Sequence, residues 1–325
     1  MTLDNKVILV TGGAGSFGEK FAEIVLKKYK PKSIRIYDNR ELAQVEMERK
    51  LNDPRLRFLI GDIRDKHRLH RAMNGVDIVV HAAALKHVSL CEFNPIEAIK
   101  TNIEGTVNVV DEAINNSVKK AIIISTDKAV SPSNLYGATK LVAEKLFIHG
   151  NNYSGKHTTI FSCARYGNFL GSSGSVIPLF LEQKSKGELT VTHEDMTRFW
   201  ITLEDGIHFV VSAIDEMKGG EIFVPKISSM KIMDLAKVVA PMAKIKIIGM
   251  RSGERINETL LTPEEARHAK EFDKYFIIEP EFAFWDSGNH KNGKPLPKIF
   301  NYSSDTNKDW LDKSEIKKVL KKHIS

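Results

Sequence analysis

Two patterns of apolar residues alternate through the first half of the chain. Short runs rich in β-branched residues, Val7–Val10, Ser33–Tyr37, Arg57–Ile60, Asp77–Val80, Ala121–Ile124 and Ile160–Ala164, read as strands buried on both faces. Between them, apolar side chains recur at helical spacing. Phe21, Ile24, Val25 and Leu26 follow the first strand, Ile99, Ile103, Val107, Val110 and Ile114 mark Pro95–Asn116, and a further helix runs from Tyr136 to His149. Six strands, each trailed by a helix or a loop, predict an α/β fold with a doubly wound parallel sheet.

Beyond Asn168 the rhythm changes. Gly171–Ser175 reads as a flexible loop, Val176–Gln183 as an apolar helix, and Met196–Trp200 as an aromatic and basic segment. Leu203–Met217 reads as a helix returning to the sheet and Glu221–Val224 as another strand. From Lys226 a smaller lid is expected, with a helix at Lys231–Met242 and a strand at Lys246–Ile248. Ser287–Pro297, rich in Gly, Asn, Lys and Pro, reads as an exposed loop. The expected division is therefore residues 1–168 plus 203–225 for the sheet domain, with 169–202 and 226–325 as the smaller domain and tail.

Candidate chemistry gathers where the predicted strands end. Thr11-Gly12-Gly13-Ala14-Gly15-Ser16-Phe17-Gly18 lies between a strand and a helix, where three glycines permit a tight turn and close approach to a pyrophosphate facing a helix N-terminus. Asp38 stands 38 − 18 = 20 residues past Gly18, the distance at which a carboxylate accepts from the adenosine ribose; it can equally cap the next helix. That favours NAD, whereas Arg40 would suit the 2′-phosphate of NADP. Asp62 can accept from an adenine amino group. Ala82, Ala83 and Ala84 would admit a flat ring or pack a helix, and Asn102 inside a helix needs a partner if buried.

The stretch Ser125-Thr126-Asp127-Lys128 emerges from a strand, and Tyr136 and Lys140 follow one helical turn apart. A cation beside a phenol favours the phenolate, so Tyr136 is expected to accept a hydroxyl proton near neutral pH. Asp127 and Lys128 could be an acid-base pair or a plain ion pair. Lys226, Arg198 and Arg251 together could clamp a diphosphate.

The charge balance of 48 basic to 41 acidic residues, +7, is scattered rather than striped, which suits an anionic small substrate or solubility and argues against nucleic acid. The pairs Lys317-Lys318 and Lys321-Lys322 are expected on a solvated helix face. Cys91 and Cys163 have no metal-ligand spacing, no His cluster suggests a metal, and no apolar run approaches membrane-spanning length. A cytoplasmic protein without a metal centre is expected.

Tyr136 and Lys140 downstream of the glycine turn resemble the extended short-chain dehydrogenase/reductases, whose Rossmann-type sheet carries a smaller C-terminal substrate domain. The segments at 11–18, 81–87 (His-Ala-Ala-Ala-Leu-Lys-His), 100–102 (Lys-Thr-Asn), 125–129, 165–168 (Arg-Tyr-Gly-Asn), 196–200 (Met-Thr-Arg-Phe-Trp) and 251–254 are similar to the inverting UDP-N-acetylglucosamine 4,6-dehydratases of pseudaminic acid biosynthesis. The resemblance implies a tightly bound, recycled NAD(P). Contacts would come from Gly12, Gly15, Ser16, Phe17, Gly18, Asp38, Asn39, Arg40, Asp62, Ile63, Ala82, Ala83, Ala84, Lys86, Asn102, Ser125, Tyr136 and Lys140. It implies substrate contacts from Lys86, His87, Thr126, Asn168, Val176, Arg198, Lys226, Arg251 and Glu254. Tyr136 with Lys140 would take the O4 proton, Thr126 would bond O4, Lys128 would take the C5 proton and Asp127 would protonate the departing C6 hydroxyl. Retaining 4,6-dehydratases carry Asp-Glu where this chain has Asp127-Lys128. Members resembling this chain end their second strand in a Ser-Arg pair suited to NADP, whereas Asp38-Asn39 stand here, which leans to NAD. A C5-epimerase or a 4-epimerase of the same fold is the alternative. A homodimer through the 95–116 and 136–149 helices is the minimum assembly, and hexamers occur in the group.

Overall fold

The computed structural model of the chain describes residues 3–155, 158–170, 176–280 and 289–323. The loop expected at Gly171–Ser175 lies outside the described residues. The six predicted strands form as β1 (Val7–Thr11), β2 (Ser33–Asp38), β3 (Leu56–Ile60), β4 (Ile78–His81), β5 (Lys120–Thr126) and β6 (Ile160–Tyr166), paired in parallel in the order β3-β2-β1-β4-β5-β6. Ile222–Pro225 adds a parallel strand beside β6.

Alternating side chains supply the two faces of the sheet. Leu9, Val79, Ile123 and Phe161 pack with Val109, Ala113 and Phe147 from the helices Gly105–Asn115 and Leu135–Tyr153. Ile8, Val10, Ile34, Val80 and Ile122 pack on the other side with Phe21 and Val25 of Ser16–Lys28 and Val210 and Ile214 of Leu203–Glu216. Both helix layers thus hold the strand ends, and the loops following them, at one edge of the sheet.

A smaller core joins Leu170, Ile177, Phe180, Leu189, Met196, Trp200, Leu235, Val239 and Ile316. Here the helix expected at Lys231–Met242 forms only over Ile232–Val239, stopping before Pro241, whose ring would clash with an earlier carbonyl. The neighbouring strand is Lys244–Ile247, parallel to Glu188–Val191. The basic C-terminal residues Lys317, Lys318 and Lys321 are exposed on the helix Lys313–His323.

The structure crosses the division expected at residue 226. Tyr275–Ile278, Ala269–Glu271 and Lys294–Pro295 continue the large sheet as antiparallel strands beyond Ile222–Pro225. The Lys294–Pro295 pairing also lies inside the stretch read as a loop, because exposed edge positions accept a proline that a central strand would not. The helix expected over Pro95–Asn116 is interrupted by a π-helical turn at Lys100–Glu104. The wide turn coincides with Asn102, whose side-chain hydrogen bonds all leave its own helix.

Candidate active site

The loops at the C-terminal ends of β1, β2, β4, β5 and β6 converge on one cleft. At its base Gly12 has φ +64°, and a Cβ there would stand 2.8 Å from the main chain of Ala83. Only glycine lets the turn after β1 and the alanines after β4 come this close. Beneath them, Thr11 Oγ1 bonds His81 Nδ1 at 2.7 Å, and His81 Nε2 faces Thr106 Oγ1 at 3.1 Å. Burial, with Lys140 adding to it, pushes His81 down to about 3, so the ring is a neutral strut under the turn.

Asp38 is buried at the end of β2. Its Oδ2 accepts from the amide of Ala14 within the glycine turn, and Arg40 grips both carboxylate oxygens, at 3.0 Å through Nε and 3.0 Å through Nη2. Gly15 lies against the same guanidinium. The acid and the base that pull toward different cofactors are therefore one ion pair. Asp62 is held by Arg64, with Asn39 Nδ2 3.5 Å away; burial pushes its carboxyl up, but the Arg64 bonds outweigh that and leave it lowered. Ser16 is exposed at the helix start, and Phe17 approaches Phe169 at 6.2 Å between ring centres, joining the turn to the strand carrying Asn168. Lys86 and His87 are exposed on the loop before the helix Val88–Phe93.

Two residues expected to contact the cofactor also have structural partners. Ile63 turns its side chain into the core against Gly105, and its carbonyl accepts from Asn108. Asn102, 2% exposed, accepts from the Leu85 amide and donates to the Leu85 carbonyl and Thr139 Oγ1. Its amide is thereby committed to bracing the loop after β4 against the Tyr136 helix, since an Asn nitrogen has two protons to give.

At the end of β5, Thr126 donates to Asp127 Oδ1 at 2.8 Å and Lys128 Nζ donates to the same oxygen at 3.0 Å. Asn134 caps the helix Leu135–Tyr153 through the Gly137 amide, setting Tyr136 over this pair. Burial raises the phenol to about 12, Lys128 and a Thr126 hydrogen bond opposing it and Asp127 adding to it. The expectation of a phenolate favoured by the Tyr-Lys spacing is therefore corrected for the protein by itself. Lys140 Nζ is turned to the Ile124 carbonyl at 2.8 Å, and burial pushes its ammonium down.

A residue with no signal in the sequence reading completes the centre. Glu258, 2% exposed, brings Oε1 to 3.1 Å from Lys128 Nζ and 3.5 Å from Arg198 Nε. Burial alone would push Lys128 down, but Asp127 and Glu258 outweigh burial and Arg198 together, so its ammonium is held above the usual lysine range. Buried Ser125 Oγ, Asp127 Oδ2, Tyr166 Oη, Asn168 Oδ1 and Glu258 Oε2 have no hydrogen-bond partner among the described residues. Unsatisfied polar atoms cost stability and concentrate where a ligand is handled.

The three-cation clamp is not assembled. Lys226 pairs with Glu271 at 2.7 Å and lies over the Phe276 ring. The Arg198 guanidinium donates to the carbonyls of Thr197, Arg255 and Ile256. Arg251 faces Glu254, 3.9 Å away. Each charge has found a partner on a neighbouring strand or turn. The turn carrying Arg251 and Glu254 still borders the cleft. The Gly253 carbonyl accepts from Ser133 Oγ and Asn134 Nδ2, and Arg255 donates to Val130. Gly253 has φ +77°, with the Asn134 Cβ 2.8 Å from where its own would be. Val176 starts the helix Val176–Lys184, half-buried against the smaller core.

Residues 8–280 match the Polysaccharide biosynthesis protein family. The chain belongs to that family. It is 48% identical over 326 residues to the inverting UDP-N-acetylglucosamine 4,6-dehydratase of Campylobacter jejuni, covering 98% of each chain. It is 40% identical to a UDP-glucose 4-epimerase of Rickettsia akari, covering 97% of this chain and 95% of that one. Among solved structures, Pen from Bacillus thuringiensis superposes with a TM-score of 0.90 at 38% identity over 99% of both chains. Among the described residues no group of three or more His, Cys, Asp or Glu side chains could hold a metal ion, and no helix is long and apolar enough to cross a membrane.

Proposed function

We propose that this protein is a UDP-N-acetylglucosamine 4,6-dehydratase that inverts C5, yielding UDP-2-acetamido-2,6-dideoxy-β-L-arabino-hexos-4-ulose for nonulosonic (pseudaminic) acid biosynthesis. One observation carries the reading: an acid-base pair, Asp127 and Lys128, lies 3.0 Å apart at the strand end that Tyr136 covers. A 4-epimerase has work for Tyr136 but none for that pair. Identity of 48% to a dehydratase across the whole chain supports the same choice.

The glycine cradle against Ala83 and the unpartnered Ser125 hydroxyl fit a nicotinamide dinucleotide. When bound, that group would accept hydride from C4 and return it to C6, and its positive charge would favour the Tyr136 phenolate. Gly12, Gly15, Ser16 and Gly18 would hold the pyrophosphate, with Ala82, Ala83 and Ala84 along the dinucleotide. Asp38 would accept from the ribose, which leans to NAD over NADP because a 2′-phosphate would meet a buried carboxylate there, although Arg40 is paired with that carboxylate.

Tyr136 takes the O4 proton, with Thr126 holding that oxygen and Lys140 fixing the strand end below. The 4-keto group then acidifies C5. Asp127 and Lys128 share one proton, which rests on Lys128; its transfer to Asp127 leaves the neutral amine that removes the C5 proton while Asp127 protonates the C6 hydroxyl, which leaves as water. The pair ends as carboxylate and ammonium. Inversion requires that C5 regain a proton on the opposite face. Asn168, Lys86 and His87 would meet the sugar nucleotide, with Glu254 on the uridine ribose. Arg198 would act through the loop it braces.

The exposed apolar side chains Leu90, Phe93, Ile96, Val107, Val142 and Tyr153 on the helices flanking the cleft support a homodimer at least. The smaller lobe built around residues 176–201 and 232–239 would carry substrate selectivity.

Proton NMR of the protein with UDP-N-acetylglucosamine in deuterated water tests the reading. A new C6 methyl singlet with L-sugar couplings and deuterium at C5 is expected. A product epimerised at C4 without a methyl signal overturns it.

A further inference from the structure

Lys128 is held from two directions. Asp127 is its chain neighbour, whereas Glu258 arrives from a segment 130 residues away and is fixed at both ends of its peptide unit. Its amide donates to Ser304 Oγ at 2.9 Å, and its carbonyl accepts from the Ser304 amide at 2.8 Å and Ser303 Oγ at 3.2 Å. The side chain is nearly sealed from solvent, with one oxygen shared between Lys128 and Arg198 and the other unpartnered among the described residues. The groups facing Lys128 are Asp127 from the end of β5, Tyr136 from its helix, Arg198 from the strand Thr197–Ile201, and Glu258 from the segment before Thr259–Leu261. Counted as charges, Asp127 and Glu258 balance Lys128 and Arg198. Without Glu258 a buried cluster would carry a net positive charge, and the Lys128 ammonium would lose half of its anionic company.

We propose that Glu258 is a positioning residue for the C5 step: its carboxylate is a second anchor for the Lys128 ammonium besides Asp127 and keeps the proton shared by that pair from escaping to solvent. The one-proton pair is the form that does both jobs, since a pair stripped of its proton keeps the base but lacks the acid for the departing hydroxyl. Glu258 thus sets the alkaline limit of turnover. A carboxylate that only tied the smaller lobe to the sheet would affect stability and leave that limit alone. The turnover part of this inference rests on the dehydratase reading; the effect on Lys128 itself does not.

The sign follows from charge. Removing a negative neighbour lets an ammonium lose its proton at lower pH. Glu258→Gln keeps the shape and removes the charge. Two readouts are compared with the wild type: the alkaline limb of methyl-product formation from UDP-N-acetylglucosamine, and the titration of the Lys128 resonance in protein labelled with [ε-13C]lysine, assigned with Lys128→Met. Both are expected to move at least one pH unit lower in Glu258→Gln. A Lys128 that titrates as in the wild type, in a variant with an unchanged thermal midpoint, overturns the proposal. Should Glu258→Gln fold poorly, Glu258→Asp keeps the charge but withdraws it by one methylene. A smaller shift in the same direction with slower turnover is expected, and wild-type titration with wild-type turnover overturns the proposal. If the wild-type protein forms no methyl product, the dehydratase reading falls, while the Lys128 titration still decides the role of Glu258.

Discussion

Lys140 Nζ donates to the main-chain carbonyl of Ile124 at 2.8 Å, so the lysine one turn beyond Tyr136 secures the C-terminal end of β5. The phenol itself is raised to about 12, chiefly by burial. On the mechanism proposed above, activation of Tyr136 would belong to the complex rather than to the Tyr-x-x-x-Lys spacing alone. Tyr136→Phe should slow formation of the reduced cofactor in a single turnover by roughly 10²–10⁴-fold, with cofactor affinity unchanged by calorimetry. Wild-type rates in that variant would remove Tyr136 from the proton step.

Gly12→Ala should abolish tight cofactor binding. Its Cβ would stand 2.8 Å from the Ala83 backbone at a φ of +64°, a left-handed conformation costing about 1–2 kcal/mol for a residue with a side chain. Titration calorimetry with NAD is expected to show at least tenfold weaker binding. Equal affinity would mean that the dinucleotide lies elsewhere.

Stability should fall between pH 6.5 and 3 through His81. Burial holds its folded pKa near 3, below the ordinary value of about 6.5. The contribution is thus fully present above pH 6.5 and is lost as pH drops toward the folded value, as the unfolded chain takes up a proton that the native imidazole refuses. At about 1.4 kcal/mol per unit this approaches roughly 4–5 kcal/mol. Urea midpoints measured across that range should fall less steeply in His81→Gln; parallel curves would assign the acid sensitivity to other groups.

Arg165→Met should destabilise the protein by about 3–5 kcal/mol. The guanidinium is 1% exposed and forms two-pronged pairs with Glu144, in the Tyr136 helix, and Glu265, besides donating to the Leu260 carbonyl. Methionine would fill the space but leave the buried Glu144 and the half-buried Glu265 without their cation. Urea unfolding monitored by far-ultraviolet circular dichroism checks the value, and a loss under 1 kcal/mol would mean that the carboxylates find other partners.

The strands and most of the cleft were legible because their causes are local. A β-branched run ending in Gly, Asp or Ser-Thr-Asp-Lys carries its own secondary structure and its own chemistry, so Gly12, Asp38 and Asp127 could be located by counting. Glu258 could not: what gives it a role is Lys128, 130 positions earlier, and no spacing encodes that approach. The same blindness led to the three-cation clamp. Lys226 and Arg198 look free in a sequence, but the fold delivers Glu271 to one and Glu258 with three backbone carbonyls to the other. Asn102 falls between these cases. Its need for partners was visible, but Leu85 and Thr139 emerge only when the loop after β4 meets the Tyr136 helix.

The stitching of Gly253 to Ser133 and Asn134, and of Arg255 to Val130, has a consequence for biosynthesis. A nascent chain lengthens by about 5–20 residues per second, so β1 to β6 can pair and shape the dinucleotide cleft some seconds before residues 253–258 leave the ribosome. During that interval Lys128 has Asp127 but no second carboxylate, and the loop leading into Tyr136 has nothing lying across it. Competence to bind the dinucleotide would therefore precede competence to eliminate water.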